Sequence, residues 1–300
     1  MKIPAKTKDK LLGIILGFVA FCVVILGFSG LSGNDDTEIY PEKYTDSPFC
    51  VTFLDVGQGD CQIITCDGYN ILVDGGEAEN SGRIIRFFEE NGIDKLDCYI
   101  LTHPHSDHIG VAADILSRIP CEKVFTTYFS EFNIPTTKVY ERTLDAIYES
   151  GAEPVLVEGG DSFTFGDLKI DIMAPLAESD DYNEMSIVFK GTYKNAEVLF
   201  TGDTTKQVEK QMLEKKFSLD SDVIKIAHHG STTSSSEAFI AAVSPDSAVI
   251  SCGIGNTYGH PHKEITKLLN DNEIETYRTD DNGTIYYFGD GNNMKMEASK

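Results

Sequence analysis

The alternation of apolar and polar positions divides the chain into three regions. Residues 11 to 34 carry no charged side chain, and Leu11 through Phe28, LLGIILGFVAFCVVILGF, is apolar throughout. A helix needs about 20 residues to cross a bilayer core of about 30 Å, so residues 11–33 are expected to form a single transmembrane anchor. The ten residues before it, MKIPAKTKDK, hold four Lys and one Asp. Positive charge on that side places residues 1–10 in the cytoplasm as a basic tail and everything after the anchor outside it, in the cell membrane but extracytoplasmic. A secretory signal has the same layout with a shorter apolar region, and the small residues Ser29-Gly30-Leu31-Ser32-Gly33 would suit cleavage; the alternative is therefore a secreted protein. Residues 34–48, NDDTEIYPEKYTDSP, have no apolar period and carry two Pro, which reads as a linker.

From Phe49 the pattern is that of a folded domain, expected over residues 49–290 with a polar tail at 291–300. CVTFLDV (50–56), CQIITC (61–66) and ILVD (71–74) are short apolar runs separated by GQGD and DGYN, a strand meander. Helical periodicity then appears at roughly 80–92, 109–118, 136–150, 204–217, 235–243 and 262–272. Strand-like runs lie between them near 97–102, 122–127, 168–173, 185–190, 197–201, 222–227, 247–252 and 284–288. So many strands with regularly spaced helices imply an α+β domain of two sheets with helices packed outside them.

Composition narrows the function classes. With 41% hydrophobic and 24% charged residues in 300, the chain is globular. Its 25 Lys and Arg stand against 48 Asp and Glu, a net charge of −23, and beyond the basic tail 21 basic residues face 47 acidic ones. Such a surface argues against coating nucleic acid by charge alone, so a phosphate ligand would need local help such as a metal ion. Of seven Cys, Cys22 lies in the apolar segment and six lie on or beside strands, none in a CxxC pair. They read as small buried hydrophobes, although an exported protein could oxidise an even set.

The histidines carry the chemistry. All seven fall in three clusters, at 103, 105 and 108, at 228 and 229, and at 260 and 262, and the 119 residues between His108 and His228 contain none. Ligands collect in this way where strand ends meet. The first cluster follows the strand DCYILT and reads His103-Pro104-His105-Ser106-Asp107-His108. Histidines at i and i+2 of an extended loop can reach one ion, while Asp107 and His108, where the chain turns into a helix, can hold a second beside it. No G-x-S-x-G elbow, P-loop or dinucleotide fingerprint competes with this reading.

HPHSDH resembles the signature of the metallo-β-lactamase superfamily, whose αββα sandwich agrees with the element order above. The resemblance implies that Asp74 in ILVDGG orients the ligand loop, that Asp203 in VLFTGD bridges two ions, and that His228 or His229 in KIAHHGS is the last ligand. LDVGQGD at 54–60, Asn183 and Ser186 in N-x-x-S, HHGS at 228–231 and NTYGHP at 256–261 are similar to the hydrolase domain of ComEC-type DNA-uptake proteins. The likeness covers about residues 50 to 288. It implies a metal-dependent hydrolase, a phosphodiesterase or nuclease using a metal-bridged hydroxide, with DNA as substrate and competence or surface proteins as partners. Another substrate (a teichoic acid, a phospholipid head group or a β-lactam) and a non-catalytic module binding DNA or cell wall are the alternatives.

The wider superfamily places another His between the first cluster and the bridging Asp, and none stands here. One ion would then have His103, His105 and Asp203, completed by water, Asn183 or Asp181; the other would have Asp107, His108, Asp203 and His228 or His229. Zinc is the expected pair of ions, and the richer oxygen donation makes manganese an alternative. Asp60 either faces the metal site or belongs to a hairpin turn. His260 is read as protonating a leaving group or holding a phosphate, with Asn183 and Ser186 as further substrate-binding candidates. His262 opens a helix and is read as a capping or surface residue.

Overall fold

The structure, a computed structural model, describes residues 47–300. The expected basic tail, the anchor at 11–33 and nearly all of the linker lie outside the described residues. Among the described residues no helix is long and apolar enough to cross a membrane.

The first half of the domain runs β1 (Phe49–Phe53), β2 (Cys61–Cys66), β3 (Tyr69–Asp74), α1 (Ser81–Glu90), β4 (Leu96–Ile100), α2 (Ser106–Ile109), α3 (Ala112–Arg118), β5 (Cys121–Thr126), α4 (Lys138–Ser150) and β6 (Glu153–Leu156). The second half runs β7 (Ser162–Phe165), β8 (Leu168–Ala174), β9 (Val188–Tyr193), β10 (Ala196–Phe200), α5 (Lys206–Lys215), β11 (Val223–Lys225), α6 (Glu237–Val243), β12 (Ser247–Ile250), α7 (Lys263–Asp271), β13 (Glu275–Arg278), α8 (Thr279–Asn282), β14 (Ile285–Gly289) and β15 (Met294–Ala298). The strands form an eight-stranded sheet in the order β15-β14-β1-β2-β3-β4-β5-β6 and a seven-stranded sheet in the order β13-β12-β11-β10-β9-β8-β7.

Strand alternation explains the layering. On β1, Phe49, Val51 and Phe53 enter the core between the sheets while Cys50 turns to the helices; on β10, Val198 and Phe200 face the same core while Leu199 turns away. Central strands are thus buried on both faces, which is why they read as continuous apolar runs. Helices carry one apolar face each. On α1, Ile84, Phe87 and Phe88, spaced by three and four, seal the outer face of the eight-stranded sheet. Phe239 and Ile240 of α6 and Ile265 and Leu269 of α7 do the same for the other sheet. The six cysteines of the described region are all free, and all but Cys121 are buried. They serve as apolar filler.

Two expectations need correction. Residues 291–300 are not a polar tail, because Met294–Ala298 pairs antiparallel with β14 and lays Met294, Met296 and Ala298 against the inter-sheet core. The helix expected over 109–118 begins at Ala112 as α3, and Asp107 and His108 lie on a separate short turn, α2, that precedes it.

The topology also sets where chemistry can sit. β3 and β4 are parallel, as are β10, β11 and β12, so within each sheet these strands end on the same side. The segments that follow β4, β10, β11 and β12 carry all seven histidines and Asp203.

Candidate metal centre

The loop after β4 is anchored from below by Asp74, the last residue of β3, which is completely buried. Its carboxylate accepts from the amide of Thr102 at 2.9 Å and the hydroxyl of Thr102 at 2.6 Å, and lies 2.7 Å from Nδ1 of His108. A carboxylate on Nδ1 fixes that nitrogen as the donor and leaves Nε2 free to bind. Nε2 of His108 lies 3.2 Å from Oδ1 of Asp203. Asp203 follows β10, and its own amide donates to the hydroxyl of Ser186 at 3.2 Å.

Donor atoms converge in two groups that share Asp203. One comprises His103, His105 and Asp203, the other Asp107, His108, Asp203 and His229, with the atoms of each group within 4.8 Å of one another. Of the two adjacent histidines, His229 is the one that belongs to a donor group. Its Nε2 lies 3.2 Å from Oδ2 of Asp107 and 3.7 Å from Oδ2 of Asp203, while Nδ1 donates to the carbonyl of Ser251 at 2.9 Å. His228 is the more open ring, its Nδ1 3.0 Å from the hydroxyl of Thr233 and its Nε2 also 3.7 Å from Oδ2 of Asp203, so the approach to Asp107 is what sets His229 apart. The two rings separate because His228 and His229 both adopt left-handed backbone, with φ of 52° and 54°. Such conformations cluster at functional sites, where surrounding structure holds them in place.

The electrostatics fit a cation. Nε2 of His108, Nε2 of His229 and Oδ1 of Asp203 are buried with no hydrogen-bond partner. Burial opposes charge on His229, yet Asp203, Asp107 and Asp60 together raise its imidazole to about 10. His108 is likewise raised well above its ordinary value, against its burial, by Asp203 and Asp74. Burial also opposes ionisation of Asp203, but His108 and His229 drive its carboxyl well below the usual range. The cluster thus demands positive charge, which protons meet when nothing else does. His103 stands apart: burial, then the charge of His108, push it well below its ordinary value, so its ring is neutral and able to ligate. The two groups fit a dinuclear divalent metal site.

Residues 54–254 match the family described as the metallo-beta-lactamase superfamily. The chain belongs to the metallo-β-lactamase superfamily. ComE operon protein 3 of Bacillus subtilis (strain 168) is 32% identical over 256 residues, which are 79% of this chain and 32% of that protein. Recombination protein 2 of Haemophilus influenzae is 28% identical over 260 residues, 84% of this chain and 29% of that protein. The chain therefore spans about a third of the length of these curated relatives. Among solved structures, CmlA, a diiron beta-hydroxylase from Streptomyces venezuelae, aligns with a TM-score of 0.57 at 16% identity, covering 81% of this chain and 54% of that one. A likeness at that identity shows the shared fold.

Around this metallo-β-lactamase centre the remaining candidates take distinct places. Asp60 is no simple turn residue: it is 1% exposed, with Oδ1 3.3 Å from Nδ1 of His229. Gly59 makes that position reachable, since a Cβ there would stand 2.5 Å from the carbonyl oxygen of Asp107, the same oxygen that accepts the amide of Asp60 at 3.1 Å. Ser186 is fully buried and occupied with the amide of Asp203, which removes it from substrate reach; it positions the shared Asp instead. Oδ1 of Asn183 is buried without a hydrogen-bond partner, whereas Asp181 is exposed and accepts the amide of Asn183. His260 stacks on Tyr258 with ring centroids 5.6 Å apart and lies 5.6 Å from His228. Burial, with His229 and His228 adding to it, lowers His260 to about 4. Asn256 clamps this loop through the amide and carbonyl of His260, and Nδ1 of His262 accepts the amide of Thr232. His262 therefore ties two loops together, and its ring does not cap α7. Gln58, His105, Asp107, Asp203, His228, His229, Tyr258 and His260 line one open cleft of about 570 Å³.

Sequence reasoning missed two participants. Thr102 bridges Asp74 to the ligand loop, and its only signal was its place next to His103. Lys225 is 1% exposed and lies 2.8 Å from Oδ2 of Asp60. A charged residue inside the apolar run VIKIA was the sign that could have found it.

Proposed function

We propose that this domain is a metal-dependent hydrolase that cleaves phosphodiesters, with DNA as the polymer and DNA uptake as the setting. The observation that carries the reading is that Asp203 belongs to both donor groups at the floor of an open cleft. His103, His105 and Asp203 would hold one ion, and Asp107, His108, Asp203 and His229 the other, with Oδ1 of Asn183 available to the three-donor position. Zinc suits four imidazoles, and manganese suits the carboxylate share. Bound ions would supply Lewis acidity and a water acidified to near neutral pH.

The residues of the chain do the rest. Asp74 and the Ser251 carbonyl fix the tautomers of His108 and His229. His228 and His260 line the same cleft as Asp203, Nε2 of His228 lying 3.7 Å from Oδ2 of that carboxylate, and both can contact the leaving group. Burial keeps His260 neutral; the negative charge of a phosphodiester works against that burial and favours the protonated ring, the form that delivers a proton to a leaving oxygen.

Relatives named Recombination protein 2 and Competence protein ComA support DNA as substrate. A domain this acidic repels a polyanion, so productive contacts are few and local, and binding is expected to be weak with a shallow dependence on salt. The apolar run at 11–33 supports anchoring in the cell membrane with the domain extracytoplasmic, where incoming DNA and surface partners would meet it.

The test is a metal analysis of protein beginning near residue 40, paired with single-stranded DNA, RNA, an activated small phosphodiester and a β-lactam. Two ions per chain and phosphodiester turnover are expected. Fully metallated protein that opens the lactam and leaves every phosphodiester intact would mean the reaction is wrong.

A further inference from the structure

β11 runs through the seven-stranded sheet between β10 and β12. Its alternation sends Val223 into the core between the sheets and Ile224 toward the helices, with Ile226 beyond the strand end on that same side. Lys225 shares the parity of Val223, so a lysine stands where the pattern calls for an apolar residue. Its Nζ is enclosed: it lies 2.8 Å from Oδ2 of Asp60 and donates to the carbonyl of Ile226 at 2.9 Å. Asp60 precedes β2 of the other sheet, so the pair spans the space between the sheets. The second oxygen of Asp60 lies 3.3 Å from Nδ1 of His229, whose hydrogen bond goes to the Ser251 carbonyl at 2.9 Å, so Asp60 acts on that ring as the adjacent charge.

We propose that Lys225 is a positioning residue for the metal centre: as the counter-cation of Asp60 it fixes that carboxylate against Nδ1 of His229, and thereby presents Nε2 of the ring to the ion shared with Asp107, His108 and Asp203. The inference rests on the dinuclear reading of the centre and is independent of the substrate. Its basis is a contrast between the two carboxylates that reach imidazole Nδ1 atoms. Asp74, behind His108, is held by neutral donors, the amide and hydroxyl of Thr102. Asp60, behind His229, has Lys225 in that place. A buried carboxylate without such a partner would either move toward solvent or draw the imidazole to itself. Either movement takes Nε2 of His229 off its line toward Asp107 and Asp203. Loss of a partner behind a ligating histidine typically weakens metal binding by about 10–100-fold.

The experiment uses the full chain with Mn2+ as probe, counting bound ion by electron paramagnetic resonance and following thermal stability of the chelated protein. The variants are Lys225→Met, Lys225→Arg, and Lys225→Met combined with Asp60→Asn. Wild type is expected to bind two equivalents. Lys225→Met should bind the first as wild type does and the second about 10–100-fold more weakly, and Lys225→Arg should recover part of the loss. The double variant leaves no unpaired charge, so it should regain thermal stability while the second ion stays weak. That separation is what a purely structural counter-ion would not produce. Recovery of stability and second-ion affinity together in the double variant overturns the proposal, as does equal weakening of both ions. Should Lys225→Met not fold, the double variant and Lys225→Arg still decide between these outcomes. A wild-type protein that binds fewer than two ions overturns the dinuclear reading itself, and with it this proposal, in a measurement made before any variant.

Discussion

His228 and His229 are consecutive in the chain, yet their ring centroids lie 6.2 Å apart with planes at 72°, and while each Nε2 lies 3.7 Å from Oδ2 of Asp203, one ring reaches Asp107 and the other Thr233. Two successive left-handed residues produce this divergence. His229→Ala should therefore bind one ion in place of two, whereas His228→Ala should bind two and turn over about 10–100-fold more slowly. Metal content of the two purified variants, measured beside wild type, checks this. Identical contents would leave the choice of His229 without support.

Asp203 and His103 should differ in the same measurement. Asp203 belongs to both donor groups and His103 to one, so Asp203→Ala is expected to lose both ions and His103→Ala one. Loss of a single ion in each variant would indicate a mononuclear centre.

His260 lies in the cleft but outside both donor groups. His260→Ala should keep two ions and lower kcat by about 100-fold with a smaller change in KM. The effect should shrink for a substrate whose leaving group needs no proton, such as a p-nitrophenyl ester. A parallel loss of metal would reassign this residue to the ligand set.

Proton linkage sets the pH behaviour. His229 is raised to about 10 in the metal-free protein from an ordinary 6.5. Its stabilising contribution is therefore complete below about pH 6.5 and lost as pH rises through about 10. Asp60 acts in the opposite direction: although burial opposes it, Lys225 and His229 lower it to about 2, so its contribution is present above pH 4 and lost as pH falls through about 2. Chelated protein should show Tm falling from pH 7 to 10, with a shallower fall for His229→Asn. Ions displace these protons, so metal affinity should rise over the same window, by about tenfold per pH unit for each proton released. Affinity that is flat or declining between pH 6 and 9 would contradict this linkage.

The placement of the domain is tested by fusing a reporter active only in the cytoplasm after Lys300. Silence is expected if residues 11–33 anchor the chain with its basic end inside. Strong cytoplasmic signal would sink that topology.

The elements legible in the sequence are those buried on both faces or amphipathic along one. β1, β4, β10 and β12 read directly as apolar runs, and α1 and α7 as helical stripes. The four strands that were not foreseen are β6, β7, β13 and β15, which are the four edges of the two sheets. An edge strand is paired on one side only, and EPVL, ETYR and MKMEA carry the polar residues that such exposure allows. The metal cluster was legible because HPHSDH concentrates donors in six residues. The choice between His228 and His229 was not, since it depends on backbone dihedrals that two identical side chains do not encode. Lys225 escaped notice because its partner Asp60 is 165 positions away in the chain, and only the packing of one sheet on the other brings them together.

Each donor group mixes the two sheets: His103 and His105 follow β4 of one, Asp203 follows β10 of the other, and the second group likewise joins Asp107 and His108 to Asp203 and His229. An ion held there is a rivet through the seam between the layers. Elsewhere the seam is built largely from apolar contacts such as that of Phe53 with Phe200, with polar ties at Lys225–Asp60 and Tyr287–Asp222. The grip on metal and the resistance of the layers to parting are then one linked quantity. A substitution that loosens the seam far from the cleft would surface first as a weaker hold on the ions, and a chelator would act on this domain as a mild denaturant.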